Sequence, residues 1–177
     1  MRVFLKKEKM SFEEFKEEFS DVLGNTLAYF QEDSQKAFDI IKKIDNPEEF
    51  KKLKKYSEKI EEELTIKIKE YEEKKEKLGN INFFYYESKY PIKKALSAII
   101  SRNNPEETII FVTPQDENQL SISARNQTRK VDMTHLLKEA TKNLEGANSG
   151  GHVPAAGATI KTKDLEKFKE KAREFEG

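Results

Sequence analysis

Cysteine and tryptophan are absent from this 177-residue chain, and histidine occurs only twice. Without cysteine there is no disulfide, no thiolate nucleophile and no cysteine-based zinc site, and the composition fits a reducing cytoplasm. An excess of one charge is also missing, because 33 basic residues balance 33 acidic ones. That balance excludes a protein that clings to DNA through overall charge. No apolar run approaches the ~20 residues of a membrane-spanning helix, so an integral membrane protein is excluded. The opening MRVFLKKEKM has no apolar core segment, which predicts no secretory signal.

Several catalytic signatures are missing as well. There is no His-x-x-x-His, no Asp-His-His and no Asp-x-Asp cluster. There is no Gly-x-Ser-x-Gly elbow and no phosphate loop ending in Gly-Lys-Ser/Thr. A two-metal hydrolytic centre needs several carboxylates and histidines around metals ~4 Å apart. The chain cannot supply these alone, so no catalytic residue and no metal ligand is assigned in it.

Lysine and glutamate dominate what is present. Only five of the 33 basic residues are arginine, at 2, 102, 125, 129 and 173. This bias fits a thermophilic archaeal or bacterial source with surface ion-pair networks. A mesophile with long solvated helices would have the same composition.

The pattern divides near Gly79-Asn80. Residues 1–80 read as helical. Ser11 with Glu14 forms a capping box, Phe12, Phe15, Phe19, Val22 and Leu23 fall on one stripe, and Gly24 is the expected stop. A second helix is expected over about 34–44, capped by Asp33 or Ser34. Asn46-Pro47 opens a long helix expected to run over 47–78, about 48 Å at 1.5 Å per residue. It either projects or bridges two bodies, or it forms one arm of a hairpin packed on 11–44.

Residues 81–177 read as an α/β domain of about four strands flanked by helices, so the fold class is α+β or α/β with a mixed sheet. Strands are expected at 81–87, 108–113, 119–125 and 158–160. Helices are expected from Pro91, from Asp132 and over about 163–176. In QLSISAR, Leu120, Ile122 and Ala124 alternate with Ser121, Ser123 and Arg125. His135 reads as a helix packing residue. EGANSGGHVPAAG, 145–157, reads as a loop and holds four of the seven glycines.

That segment and the strand before it carry the candidate site. Glycines let the backbone turn and approach a ligand closely, and consecutive N–H groups in such a turn make an anion nest. His152 beside Ser149, Gly150 and Gly151 adds a charge-assisted donor. Arg125 ends the alternating strand, followed by Asn126, with Arg129 close behind. A guanidinium binds phosphate in two-pronged fashion, which an ammonium cannot do. The competing reading is a flexible connector and a surface arginine paired with a carboxylate.

SGGHVPAAGATI, 149–160, resembles the Gly-Gly-His-x-x-Ala-Ala-Gly signature of the domain that follows the Asp-His-His (DHH) domain in RecJ-type phosphoesterases. SISARNQ, 121–127, is similar to the Ser-x-Arg element of that domain, and the element order over 81–177 also fits. The resemblance implies that Arg125, Gly150, Gly151 and His152 contact the phosphate backbone of single-stranded DNA or RNA, with Asn126, Ser149 and Arg129 secondary. It implies that helix 47–78 is a linker, and that a manganese or magnesium pair sits in a separate catalytic DHH domain of the same protein. The chain alone is then an inactive part of an exonuclease of DNA replication or repair. The helical residues 1–46 resemble the style of archaeal RecJ-like nucleases associated with the GINS complex, in which an added helical segment docks a partner. Phe12, Phe15, Phe19 and Phe30 are the docking candidates, unless they pack on the long helix. The alternatives are a GINS-type interaction module with a vestigial pocket, and an oligonucleotide or cyclic-dinucleotide phosphodiesterase fragment.

Overall fold

The structure, a computed structural model, describes residues 11–31, 33–44 and 47–175. It separates into two compact units. The first comprises the described residues up to Thr65 together with Lys89–Ile92, and the second comprises Ile66–Ser88 and the residues from Lys93 onward.

In the first unit, helix α1 (Phe12–Tyr29) begins at the expected capping box. The Glu14 N–H donates to Ser11 Oγ at 3.2 Å, and the Ser11 N–H donates to Glu14 Oε2 at 2.7 Å. Gly24 does not stop it. A mid-helix glycine costs about 1 kcal/mol, and the next turn offsets this by burying Thr26 and by sending Asn25 Nδ2 to Ser57 Oγ at 2.9 Å. Helix α2 (Ser34–Ile41) is capped by Asp33, which accepts from the Lys36 N–H at 2.9 Å. Helix α3 (Pro47–Lys74) starts at its proline, as expected, and Asn46 lies outside the described residues. Val22 of α1 packs on Phe50 and Leu53 of α3.

The long helix stops four residues short of the expected Leu78. Glu76–Leu78 instead form strand β1, paired antiparallel with β2 (Ile81–Tyr85). Gly79 makes the turn at φ +58°, and Leu78 is fully buried. The Lys/Glu-rich run continues the helical pattern in the sequence, so only the turn marks the change.

In the second unit, helix α4 (Lys93–Asn103) crosses over to β3 (Thr108–Pro114), which lies parallel to β2. Strand β4 (Gln119–Arg125) has the expected bounds. Helix α5 (Met133–Thr141) is capped by Asp132, whose Oδ1 accepts from the Thr134 and His135 N–H groups. The segment 145–157 is not a loop. It holds strand β5 (Asn148–His152) and the start of β6 (Ala155–Lys161), joined by a tight turn at Val153-Pro154. A 3-10 turn (Thr162–Asp164) and helix α6 (Leu165–Arg173) follow. The sheet thus has six strands rather than four, in the order β1-β2-β3-β4-β6-β5.

Alternation gives the sheet two faces. Ile110, Val112, Leu120, Ile122, Ala124, Ala156, Ala158 and Ile160 point to α5 and α6 and form the core with Leu136, Leu137 and Phe168. On the opposite face, Tyr71 from the last turns of α3 stands edge-on to Phe84 and over Phe111, with ring centroids 5.5 and 6.1 Å apart. The Tyr71 hydroxyl and Asn82 Nδ2 both donate to Glu107, at 3.1 and 2.5 Å. Helix α4 lies over β3 and β4 on this face. Among the described residues, no helix is long and apolar enough to cross a membrane.

Candidate phosphate-binding site

The register brings the two central residues together. Arg125 of β4 and His152 of β5 are both partners of Ala155 on β6, which runs between them. Directly paired residues point to the same face, so the guanidinium and the imidazole share the face that carries α4. Their backbones are two strand spacings apart, about 10 Å, a gap that two long side chains can close around a phosphoryl group.

Short-range contacts fix this arrangement. The Asn126 N–H donates to Pro154 O at 3.0 Å, and the Met133 N–H donates to Val153 O at 3.0 Å. The end of β4 and the start of α5 therefore both hold the β5–β6 turn. Asn126 is 2% exposed, with Nδ2 on Thr108 Oγ1 at 3.0 Å and Oδ1 accepting from Thr128 at 2.9 Å. Its amide is committed to the loop and does not reach the open face.

Gly151 and Ser149 point the other way. Ser149 pairs with Ala158 and Gly151 with Ala156, both core-facing, and Ser149 Oγ accepts from Thr141 at 3.4 Å. Gly151 is glycine for a steric reason. It sits at φ +148°, and an added Cβ would lie 2.6 Å from Ala155 O. Gly150 differs, since it is on the Arg125 face and an added Cβ meets nothing within 4 Å. Its bareness is not demanded by the fold and leaves open space above the strand. In an extended strand successive N–H groups alternate in direction, so the expected nest of consecutive amides does not form in β5. Arg129 lies in the loop after β4, exposed and at φ +59°.

The electrostatics are unusual. Arg125 Nε is buried and, among the described residues, has no hydrogen-bond partner. Burial pushes the guanidinium below its ordinary range. Lys93, at the start of α4, reaches the same face and donates to Ser121 Oγ. Burial first, and then the Arg125 charge, pushes its ammonium down. Each cation is thus partly desolvated, the two lie on one face of the sheet, and among the described residues no carboxylate pairs with either. A half-buried charge without a counter-charge is costly.

Lys93 carried no signal in the reading by motifs. Its trace in the sequence is the spacing Lys93, Ser97, Ser101, a polar stripe on a helix whose neighbouring stripe is Ile92, Leu96 and Ile100. Ser97 and Ser101 are both fully buried, and Ser101 accepts from Gln127 Nε2 at 2.8 Å. That stripe runs along β4.

The expected docking phenylalanines divide. Phe19 stacks on Phe50 at 5.1 Å and Phe30 packs edge-on to Tyr56 at 4.7 Å. Both pack on rings of α3. The side chains of Phe12 and Phe15 lie outside the described residues. His135 packs edge-on to Phe175 at 5.4 Å, as a helix packing residue does.

The domain comparison decides the family, since residues 80–176 match the DHHA1 domain. The chain belongs to the DHHA1 domain family. No curated protein matches the sequence. The fold of this DHHA1 protein is similar to part of RecJ from Thermus thermophilus in complex with Mg2+, with a TM-score of 0.64 at 14% identity over 86% of this chain and 24% of that one. It is similar to exonuclease RecJ bound to manganese, with a TM-score of 0.56 at 12% identity over 82% of this chain and 33% of that one. The C-Ala domain of Aquifex aeolicus alanyl-tRNA synthetase aligns with a TM-score of 0.43 at 16% identity, over 56% of this chain and 98% of that one. The DHHA1 protein therefore spans about a quarter of the Thermus RecJ chain, and at such identities the likeness is one of fold. Among its described residues no three His, Asp or Glu side chains come together as metal ligands.

Proposed function

We propose that this chain grips the phosphate backbone of single-stranded nucleic acid as the DHHA1 part of a RecJ-like phosphoesterase. One observation carries the reading. Arg125 and Lys93 share a sheet face with His152, and among the described residues no carboxylate pairs with either cation. Phosphate is the anion that suits a guanidinium beside an imidazole, and a phosphate backbone offers further groups to an ammonium on the same face. The net charge of zero makes the patch local, so affinity comes from these few contacts and not from a basic surface.

Hydrolysis belongs, in this reading, to a separate DHH domain that holds manganese or magnesium, and the substrate is single-stranded DNA or RNA in replication or repair. The polypeptide alone then binds strand without cutting it. Fluorescence anisotropy with a labelled single-stranded oligonucleotide tests this. Salt-sensitive binding that falls in Arg125→Ala and in His152→Ala is the expected result. Unchanged affinity in both variants, or robust cleavage by the purified chain with manganese, overturns the reading.

A further inference from the structure

Lys93 and Arg125 stand at two positions along one face of the sheet. Helix α4 runs along β4, tied at its start by Lys93 to Ser121 and near its end by Ser101 to Gln127. Beneath it Ser123 is buried. On this same face Gly157 of β6 lies beside Gly150 of β5. A Cβ on Gly150 meets nothing, and one on Gly157 meets only Ile122 O, at an ordinary 3.5 Å. The fold tolerates side chains at both positions, yet the floor is bare. Bare backbone allows a sugar–phosphate chain to lie close.

The spacing separates the cations' tasks. An anion between Arg125 and His152 lies over the Ala155 row of the sheet. Lys93 is held over the Ser121–Thr159 row, four residues away along the strand, or about 13 Å. A phosphoryl group seated over the Ala155 row between Arg125 and His152 leaves Lys93, over the other row, to a further phosphate of the same strand. We propose that Lys93 is a second phosphate-binding residue, and that the sheet face floored by Gly150 and Gly157 seats a segment of single strand with one phosphate between Arg125 and His152 and a further one at Lys93. The inference rests on the phosphate reading of this face and extends it. The site takes an oligonucleotide in preference to a mononucleotide.

The test compares thymidine monophosphate with a short 5′-phosphorylated oligothymidylate, titrated calorimetrically into the full chain at several salt concentrations. Lys93→Gln is expected to weaken the oligonucleotide roughly tenfold and to flatten its log–log salt slope by about 0.7, the contribution of one single-strand phosphate. Thymidine monophosphate affinity stays as in the parent chain. Gly150→Val, which fills that face away from both cations, gives the same selective loss. Arg125→Ala weakens both ligands. If Lys93→Gln weakens the mononucleotide as much as the oligonucleotide, the two cations share one phosphate and the inference fails. It fails equally if Lys93→Gln and Gly150→Val leave the oligonucleotide unaffected. A parent chain that binds neither ligand overturns the phosphate reading itself and the inference with it. Melting curves of each variant separate lost binding from lost folding.

Discussion

Arg125 faces His152 across a single intervening strand, each opposite Ala155. Twenty-seven positions separate them in sequence, but the β5–β6 turn and the β4–β6 ladder reduce that to two strand spacings. The hydrogen bond from the Asn126 N–H to Pro154 O locks the two ends together. The consequences can be checked one at a time.

The guanidinium is expected to act through its shape as well as its charge. Arg125→Ala lowers affinity for a single-stranded oligonucleotide about tenfold or more, the scale of a charge-assisted hydrogen bond. Arg125→Lys restores only part of this, because an ammonium lacks the planar fork. Anisotropy titrations at fixed salt distinguish the three proteins, and equal affinity of the lysine variant and the parent would show that charge alone suffices.

Neighbouring glycines are expected to fail in different ways. Gly151→Ala forces a Cβ to 2.6 Å from Ala155 O at φ +148°, and destabilises the protein by about 1–3 kcal/mol. Gly150→Ala meets nothing within 4 Å and leaves the melting temperature within a degree or so. Two thermal melts decide the matter. A Gly151→Ala protein as stable as the parent would mean that the hairpin can rearrange.

Two buried tyrosines predict a fall in stability at alkaline pH. Burial, with the Glu107 charge second, holds the Tyr71 phenol above its ordinary pKa, and burial alone does so for Tyr86. A pKa raised in the folded state means that the native protein keeps a proton the unfolded chain gives up. The contribution is complete below the ordinary phenol value of about 10 and declines as pH climbs past it. Among the described residues the Tyr86 hydroxyl has no partner, so Tyr86→Phe removes part of the alkaline decline without loss at neutral pH. Tyr71→Phe loses the bond to Glu107 and costs about 1 kcal/mol near neutrality. Urea unfolding at a series of pH values measures both.

The Asp132 cap is expected to matter beyond its helix. Asp132→Ala frees the Thr134 and His135 N–H groups and costs about 1 kcal/mol, a shift of some 2–4 °C in melting temperature for a chain of this size. Because the Met133 N–H also holds Val153 O, oligonucleotide affinity falls with it. An affinity that stays constant while the melting point drops would uncouple the cap from the turn.

Much of this was legible in the sequence where local chemistry and tertiary packing agree. The strict alternation of 119–125, the capping box at Ser11 and the Asp132 cap each reappear as drawn. Arg125 and His152 were both legible as chemistry, one by its rarity among lysines and the other by its glycines. What was hidden had a physical cause in each case. Strand β1 is written in residues that favour a helix, and only its pairing with β2 makes it a strand. Strand β5 is mostly small and glycine residues, which have low intrinsic preference for a sheet. Gly24 looked like a terminus, but the turn after it is held by Ser57, far away in sequence. Lys93 was one lysine among many, and its partner Ser121 becomes visible only once α4 lies along β4.

Strand β4 has a neighbour on each side, whereas β5 is bonded to β6 alone and is exposed along its whole length. Opening the outer strand breaks one ladder, and opening the inner one breaks two, so amide hydrogens of β5 should exchange with deuterated water far sooner than those of β4. The candidate site is therefore flanked by one rigid jaw and one yielding jaw, and occupancy should be recorded as a slowing of exchange confined to the yielding side.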